Sequence, residues 1–273
     1  MAVKEGKLSK IFLSAGIEVK YDVGISTRDK IRLSADIYFP QDRNGPLPVI
    51  LSRTPYDNTA ENMVYSGNFY AQHGYIFVAQ DTRGRYDSEG DFHPWINEFD
   101  DGYDTIEWIG EQEWCDGNVG MVGASYGGNV QWQAAAMGSK YLKAIVPRVI
   151  GNNLYESPHY QGGAFQLNWS ATWCLRMAGR TSQKLDGYNW EQLFQVSPLR
   201  KLPSEGGKDI FYYQEWMDHP DYDDYWKRLA NEERYGDVKI PVLQIGGWYE
   251  SQGRIQDFEN QPESCCGAMG TQG

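Results

Sequence analysis

Polar and apolar residues alternate strictly between positions 31 and 38. The apolar positions are Ile31, Leu33, Ala35 and Ile37, and each is followed by a polar residue or a tyrosine. A period of two residues predicts a strand with one face buried and one face in water. Thr27–Lys30 has the composition of a turn, so residues 20–38 are predicted to form two strands joined by that turn.

Further along the chain the pattern changes to short, continuous apolar runs. The runs are Leu47–Leu51, Tyr75–Ala79, Val119–Gly123, Lys143–Pro147 and Ile240–Ile245. Helical patterns at Asp104–Gly110 and Asn129–Gly138 lie between some of them. Apolar strands that alternate with helices indicate a parallel sheet covered on both faces. The predicted fold class is therefore α/β, with a mostly parallel sheet flanked by helices.

Residues 151–236 differ from the sequence on either side. They are rich in Trp, Tyr, Asn and charged residues, with helical patches and few β-branched runs. We interpret this segment as a helical cap inserted into the α/β core, which comprises residues 1–150 and 237–273. The aromatic residues from Trp169 to Trp226 either line a substrate pocket or form the core of the cap, since aromatic side chains serve both purposes.

Composition narrows the choice of partner and compartment. The 273-residue chain has a net charge of −12 and a pI of about 4.8, which argues against nucleic acid or an anionic membrane surface as partner. No apolar stretch approaches the ~18 residues of a membrane span, and the N-terminus lacks the apolar run of a secretory signal. The four cysteines form neither a C-x-x-C pattern nor a disulfide framework. A cytoplasmic protein is expected, and the sequence allows a homo-oligomer.

The residues Gly123-Ala124-Ser125-Tyr126-Gly127-Gly128 follow an apolar strand and precede a predicted helix. A G-x-S-x-G sequence between a strand and a helix is the pattern of a nucleophile elbow, in which a sharp turn exposes a reactive serine. The glycines suit a turn too tight for neighbouring Cβ atoms. The alternative is a structural turn with an incidental serine. The pattern predicts an α/β-hydrolase fold with Ser125 as nucleophile.

Other segments, in order, resemble the hydrolases grouped around bacterial cocaine esterase, α-amino acid ester hydrolase and X-Pro dipeptidyl peptidase. These segments are Arg53-Thr54-Pro55-Tyr56, residues 81–90, residues 101–120, the elbow, residues 219–226 and Gly246-Gly247-Trp248-Tyr249. The resemblance covers residues 20 to about 255. Members usually add a C-terminal β jelly roll, which this sequence lacks, along with late elements of the sheet.

The resemblance implies a role for four residues. Ser125 would attack an ester or amide carbonyl, and the backbone N–H of Tyr126 and the hydroxyl of Tyr56 would hold the oxyanion. Glu250 follows Trp248-Tyr249 and takes the position of the triad acid, where the family usually has aspartate. The alternatives are a half-buried structural tyrosine at position 56 and a surface glutamate at position 250, with Asp257 as a second choice for the acid.

A base for Ser125 is missing from the expected position. The fold places nucleophile, acid and histidine in that chain order, but all four histidines (His73, His93, His159 and His219) precede Glu250. A serine without an adjacent base is a poor nucleophile, so the predicted activity is serine hydrolysis of an ester or amide, impaired in this chain. The alternative is a non-catalytic binding protein, or an inactive fragment, that retains the cap pocket.

Residues 262–273 suggest one cause. They have neither a strand nor a helix pattern. When the codons are read one base later, the last two bases of the Met269 codon and the first base of the Gly270 codon form a tryptophan codon. The neighbouring codons then permit Gly-Pro-Trp-Gly-His, which resembles the family's Gly-Pro-Trp-x-His stretch around the catalytic histidine. We hypothesise a frameshift from about residue 262.

The sequence predicts no cofactor and no metal. Asp87, Glu89 and Asp91 alternate like the acids of some Ca²⁺ loops, but the glycine and the distal glutamate of an EF-hand are missing, and a solvated loop is the expectation. The expected partner is a small ester or amide, or a short peptide.

Overall fold

The computed structural model describes residues 16–151 and 153–247, together with the backbone of 265–270. An eight-stranded sheet lies at its centre, with strand order β1-β2-β4-β3-β5-β6-β9-β10. Its strands are β1 (Ile17–Ser26), β2 (Arg32–Pro40), β3 (Leu47–Thr54), β4 (Ile76–Asp81), β5 (Cys115–Ala124), β6 (Leu142–Arg148), β9 (Val242–Gly247) and β10 (Cys265–Gly270). β1, β2 and β4 pair antiparallel, and the remaining pairs are parallel. The predicted hairpin and the mostly parallel sheet are confirmed.

Three helices cover the two faces of the sheet: α1 (Glu61–Gln72), α2 (Glu98–Gly110) and α3 (Tyr126–Ala136). α2 and α3 contribute Ile106, Ile109 and Trp132 to the largest apolar core, and they approach closely because Gly102 faces Ala134. A Cβ at Gly102 would lie 2.7 Å from the Cβ of Ala134. On the other face, Gly67 of α1 packs directly against the ring of Tyr38.

Strand β2 is buried on both faces, so the prediction of a half-buried strand was wrong. Seven of its nine residues are buried. Its polar side chains form hydrogen bonds: the Ser34 hydroxyl donates to Asp22 Oδ1 (2.8 Å), and Asp36 Oδ1 accepts the Asp22 N–H (2.9 Å). The Ser34 main-chain N–H also donates to Ser88 Oγ (2.8 Å). Alternation in the sequence reports only side-chain polarity, whereas these distant partners make burial of the polar face tolerable.

The segment between β6 and β9 is mostly helical, with one two-stranded hairpin. Its elements are an irregular turn Tyr155–His159, β7 (Tyr160–Gln161), β8 (Ala164–Phe165), α4 (Leu167–Met177), α5 (Trp190–Leu193), a 3₁₀ turn Leu199–Lys201, α6 (Leu202–Glu205), α7 (Phe211–Asp218), α8 (Asp224–Lys227) and a 3₁₀ turn Glu232–Asp237. We call this segment, residues 155–237, the insertion. It forms a second apolar core that also includes Phe92, Trp95, Tyr126 and Val130 from outside it, so the insertion packs over the start of α3. Within the described ranges, no helix is long and apolar enough to cross a bilayer.

Residues Cys265–Gly270 form a strand that pairs parallel with β9, which corrects the expectation that residues 262–273 lack regular structure. The sequence of β10 contains two glycines and no β-branched residue, so its composition gives little strand signal. Main-chain pairing with β9 is independent of side-chain identity, and that pairing decides the conformation here.

A buried ion pair joins the sheet to α2. Arg53 in β3 and Glu98 at the start of α2 are both buried, and Arg53 Nη1 lies 2.7 Å from Glu98 Oε2. The Arg53 Nε–H donates to Gln80 Oε1 in β4, also at 2.7 Å. Burial raises the pKa of Glu98, and the Arg53 charge opposes that shift. The pair therefore fixes α2 against β3 and β4 through interactions that exclude water.

We expect Arg53→Met to destabilise the protein by about 3–5 kcal/mol, because it leaves the Glu98 carboxylate buried without its partner. Arg200→Met is the matched control, since Arg200 forms an ion pair with Asp218 in which both side chains are about half exposed. That change should alter the free energy of unfolding by less than about 1 kcal/mol. Urea denaturation measures both, and equal effects would show that the buried pair does not organise the fold.

Candidate active site

Ser125 lies between the end of β5 and the start of α3 in a strained backbone conformation. Its φ is +56° and its ψ is −123°, a region in which a non-glycine residue costs about 1–3 kcal/mol. Two flanking glycines make the turn possible. A Cβ at Gly123 would lie 2.6 Å from the Gly127 carbonyl oxygen, and one at Gly128 would lie 2.4 Å from Ile150 Cγ2. The structure thus has the strand, sharp turn and helix of a nucleophile elbow.

Main-chain hydrogen bonds hold the elbow in place. The Ser125 N–H donates to the Arg148 carbonyl at the end of β6 (2.9 Å), and the Ser125 carbonyl accepts the N–H groups of Gly128 and Asn129. Tyr126 is the first residue of α3, and the first N–H groups of a helix have no acceptor within the helix. The Tyr126 N–H, directly after Ser125 in the chain, therefore lies at the positive end of the helix dipole.

Tyr56 lies in the loop after β3 and its hydroxyl reaches Ser125. The Trp173 Nε1–H of α4 donates to Tyr56 Oη at 3.2 Å. Burial raises the pKa of Tyr56, although hydrogen bonds with the side chains of Trp173 and Ser125 act in the opposite direction. The phenol is therefore neutral at ordinary pH. Because Trp173 donates to its oxygen, the Tyr56 proton remains available to donate to another acceptor.

The loop that bears Tyr56 is held by a buried carboxylate. The Asn58 N–H donates to Asp81 Oδ1 at 2.9 Å. Asp57, which lies between Tyr56 and Asn58 in the chain, has a φ of +97°. Burial raises the pKa of Asp81 to about 8, and the nearby carboxylates of Asp57 and Asp87 add to that shift. Asp81 is accordingly protonated over much of the pH range in which exposed carboxylates are charged.

The Tyr126 side chain connects the elbow to the buried ion pair. Its hydroxyl accepts the Trp95 N–H (2.9 Å) and donates to Glu98 Oε1 (2.8 Å). Sequence reasoning missed Glu98 and Trp95, which lie 28 and 31 residues before Tyr126. No local pattern marks either residue, because their role depends on contacts that only the folded chain creates.

Aromatic side chains enclose the space in front of Ser125. A cavity of about 20 Å³ there is lined by Tyr56, Trp95, Ser125, Tyr126, Asn129, Gly151, Leu154, Ser157, Pro158, Trp169 and Trp173. This volume holds about one water molecule. Trp169 and Trp173 line the cavity, whereas Trp216 and Trp226 are fully buried in the core of the insertion. Trp169 and Trp173 also pack against that core, so these aromatic residues form the core of the insertion, and a role in lining a substrate pocket stays a prediction.

The four histidines lie in the described part of the chain, and one ring nitrogen of each contacts a group other than Ser125. His73 pairs with the Phe69 carbonyl, His93 with Glu215 and His219 with Asp223. His159 is fully buried, its Nδ1 lies 3.2 Å from Ser170 Oγ, and burial lowers its pKa to about 3. His159 is thus a neutral core histidine.

The two candidate acids, Glu250 and Asp257, lie outside the described residues. The strand that precedes them is described: β9 ends at Gly247, and its register places Ile245 beside Arg148, which in turn pairs with Ala124. The carboxyl end of β9 therefore lies at the same edge of the sheet as Ser125, two strands away.

In the described ranges, no group of three or more His, Cys, Asp or Glu residues could hold a metal ion. Within the acidic loop, the Glu89 carboxylate accepts the Arg32 N–H at 3.2 Å, and its main chain bonds Arg32 and Gly84. These hydrogen bonds connect the loop to β2.

The sheet order, the elbow and the helices around it define an α/β-hydrolase. Residues 29–264 match the model of the X-Pro dipeptidyl-peptidase (S15) family, and the chain belongs to that family. It is 39% identical over 253 residues to cocaine esterase from Rhodococcus sp. (strain MB1 Bresler), a match that covers 85% of this chain and 44% of that protein.

Other relatives agree. A putative serine esterase of Mycobacterium tuberculosis is 26% identical over 208 residues, covering 68% of this chain and 32% of the relative. An α-amino acid ester hydrolase structure has a TM-score of 0.74 at 22% identity, covering 95% of this chain and 48% of the other, which is a likeness of fold. The chain spans less than half the length of these proteins.

Because Ser125 is strained, we expect Ser125→Gly to be more stable than Ser125→Ala by about 1 kcal/mol, since glycine tolerates a positive φ. Ser66, inside α1, is the matched control. There glycine should be less stable than alanine by about 1 kcal/mol, as in any helix interior. Thermal and urea unfolding of the four variants measure the effect, and the same sign at both positions would contradict a strained elbow.

Asp81 predicts a specific pH dependence of stability. Its folded pKa lies above the unfolded value, so the folded state retains a proton that the unfolded chain releases, and stability falls as pH rises from about 4 to about 8. Asp81→Asn retains the acceptor for the Asn58 N–H and should remove this part of the fall. Asp116→Asn, an exposed residue that also accepts a backbone N–H, is the control. The measurement is the free energy of unfolding in urea at several pH values between about 4 and about 8. An equal fall with pH for wild type and Asp81→Asn would refute the assignment.

Proposed function

We propose that Ser125 is the nucleophile of a serine hydrolase that cleaves esters or amides through an acyl-enzyme. The observation that favours this mechanism is a serine at a strained strand-to-helix turn, with the Tyr56 hydroxyl hydrogen-bonded to its side chain and the N–H of Tyr126 directly after it at the start of α3. Ser125 Oγ would attack the substrate carbonyl carbon, its proton would pass to a base, and the tetrahedral intermediate would expel the alcohol or amine. Water would then release the acyl group by the same steps.

Tyr56 and Tyr126 supply the two oxyanion donors in this mechanism. Each donor is fixed before substrate binds, Tyr56 by Trp173 and Asp81, and Tyr126 by its place at the start of α3. Fixed donors in a site shielded from water stabilise a developing charge without reorganisation, and loss of one typically lowers the rate by about 10²–10³-fold. The neutral phenol of Tyr56 is suited to this role because a tyrosinate would repel the oxyanion.

Glu250 would be the triad acid. It follows β9 by three residues, and the carboxyl end of β9 lies at the edge of the sheet that holds Ser125. The base would come from the position after β10, the next strand in the sheet, and the shifted reading frame would place a histidine at that point. The contacts of the four histidines are with groups other than Ser125. We therefore expect this chain to hydrolyse its substrate slowly.

The substrate would be a small ester or amide, or a short peptide. The kinship with cocaine esterase favours an ester, and the walls formed by Trp169 and Trp173 suit an apolar acyl group. Such a substrate is far larger than the ~20 Å³ cavity, so part of the insertion would move to admit it. A binding protein without catalysis is the less favoured alternative, because binding alone does not require the strained backbone conformation of Ser125.

A fluorophosphonate probe tests the nucleophile directly. We expect the protein to be labelled at Ser125, slowly if no base is near, and Ser125→Ala to abolish labelling. Tyr56→Phe should lower the labelling rate constant by about 10²-fold because it removes one oxyanion donor. Tyr65→Phe, an exposed tyrosine of α1, should leave the rate unchanged. Labelling that persists in Ser125→Ala would refute the assignment.

The base is tested with a second chain that carries Gly-Pro-Trp-Gly-His in the shifted frame and continues in it. We expect this chain to hydrolyse a p-nitrophenyl ester at least 10³-fold faster than the printed chain, since nucleophile and base act as a unit. Equal rates for the two chains would count against a base at this position. Whether Ser125 is the nucleophile would then depend on the fluorophosphonate labelling alone.

A further inference from the structure

Arg85 is a buried cation, and it forms no ion pair with any carboxylate in the part of the chain that the structure describes. It lies in the turn after β4 and none of its surface is exposed. Its hydrogen-bond acceptors in the described part of the chain are all neutral: the carbonyl oxygens of Pro55, Met177 and Gly179, and the sulfur of Met177. Burial lowers the pKa of Arg85, yet a guanidinium remains charged in proteins. Burial of such a charge is energetically unfavourable, and the hydrogen bonds to these neutral acceptors offset part of that cost.

The guanidinium connects two separate parts of the molecule. Its Nε–H donates to the carbonyl of Pro55 (2.9 Å), the residue directly before Tyr56. On its other side, Nη1 donates to the carbonyl of Met177 (2.8 Å) and to that of Gly179. These two carbonyls lie at the C-terminal end of α4, where the helix dipole favours a cation. One side chain thus holds the Tyr56 loop against the end of a helix in the insertion.

The same helix contacts Tyr56 a second time. Trp173 lies one turn before Met177 in α4, and its indole N–H donates to the Tyr56 hydroxyl. The Tyr56 loop is therefore attached to α4 at its main chain, through Arg85, and at its reactive hydroxyl, through Trp173. Two attachments fix both the position and the direction of the phenol, and a shift of α4 would displace it.

Only arginine suits this bridge. Its planar fork presents donors in opposite directions, whereas a lysine ammonium is a compact charge that cannot reach the same carbonyls from both sides. An aliphatic residue would leave the three carbonyls without a donor. The ring of Phe92, 5.1 Å from the guanidinium carbon, covers its face and further restricts its orientation.

We infer that Arg85 is a positioning residue that sets the place of the Tyr56 hydroxyl relative to Ser125 and couples it to α4 of the insertion. The inference rests on the proposed function, in which Tyr56 stabilises the oxyanion. Arg85 touches no reacting atom in this scheme and acts through Tyr56 alone.

The first test needs no activity. In protein labelled with 5-fluorotryptophan, the ¹⁹F resonance of Trp173 is assigned by its loss in Trp173→Phe. Tyr56→Phe should shift this resonance because it removes the hydrogen bond between the two side chains, and Arg85→Lys should shift it as well. Arg180→Lys is the matched control. Arg180 also donates to carbonyl oxygens, those of Tyr86 and Ser88, but it does not reach the Tyr56 loop, so its variant should leave the resonance in place.

Arg85→Gln, which removes the buried charge, is measured in parallel in case Arg85→Lys does not fold. A Trp173 resonance unchanged by a folded Arg85 variant, in a protein where Tyr56→Phe moves it, would overturn the inference.

The second test is a double-mutant cycle on the rate of fluorophosphonate labelling. We expect Arg85→Lys to lower the rate constant about tenfold when Tyr56 is present, since small displacements of a catalytic group have effects of this order or larger. In the Tyr56→Phe background the same change should alter the rate less than about twofold, because Arg85 acts through the missing hydroxyl.

Equal losses in both backgrounds would refute a role through Tyr56. If wild-type protein is not labelled at all, the proposed function fails, and the ¹⁹F resonance alone then decides whether Arg85 sets the position of Tyr56.

Discussion

The buried ion pair between Arg53 and Glu98 is the interaction on which the site depends. Arg53 lies three residues before Tyr56 on the same strand and loop, and Glu98 accepts the hydroxyl proton of Tyr126, the residue after Ser125. The pair thus connects both candidate oxyanion donors to one point in the core. Buried ion pairs contribute little net stability relative to apolar residues of the same volume. Their geometric demands are strict, however, and here those demands fix the loop after β3 relative to the start of α3.

The insertion completes the site rather than merely covering it. Its aromatic residues share a core with Phe92, Trp95 and Tyr126, so its position is coupled to the elbow by packing. Trp173 contributes one wall of the cavity and a hydrogen bond to Tyr56, and Arg85 joins the Tyr56 loop to the end of the same helix. Because the cavity has room for about one water molecule, a substrate of the proposed hydrolase would displace some of these side chains on entry. Such a displacement would reach the Tyr56 hydroxyl through the contacts that now hold it.

Strands β9 and β10 show where the remaining catalytic groups would come from under the proposed function. In a parallel sheet all carboxyl ends meet at one edge, and ligands bind outside that edge. Ser125 follows β5, Glu250 follows β9, and the position after β10 is next in the sheet order. Under the proposed function, a histidine after β10 would complete the chain order of nucleophile, acid and histidine expected for the fold. The match of residues 29–264 to the S15 family model places this chain in that family.

Local patterns in the sequence determined much of this fold. The apolar runs located the strands, and Gly123–Gly128 located the elbow, because strand periodicity and glycine-dependent turns are properties of adjacent residues. The tertiary structure alone decided that β2 is buried on both faces, that Cys265–Gly270 is a strand, and that Trp169 and Trp173 face the cavity. It also decided the contacts of Glu98 and Arg85. Glu98 pairs with Tyr126, 28 residues away, and Arg85 with Gly179, 94 residues away. A buried charge or a polar strand face is stable only where distant groups satisfy it, and no window along the chain contains those groups.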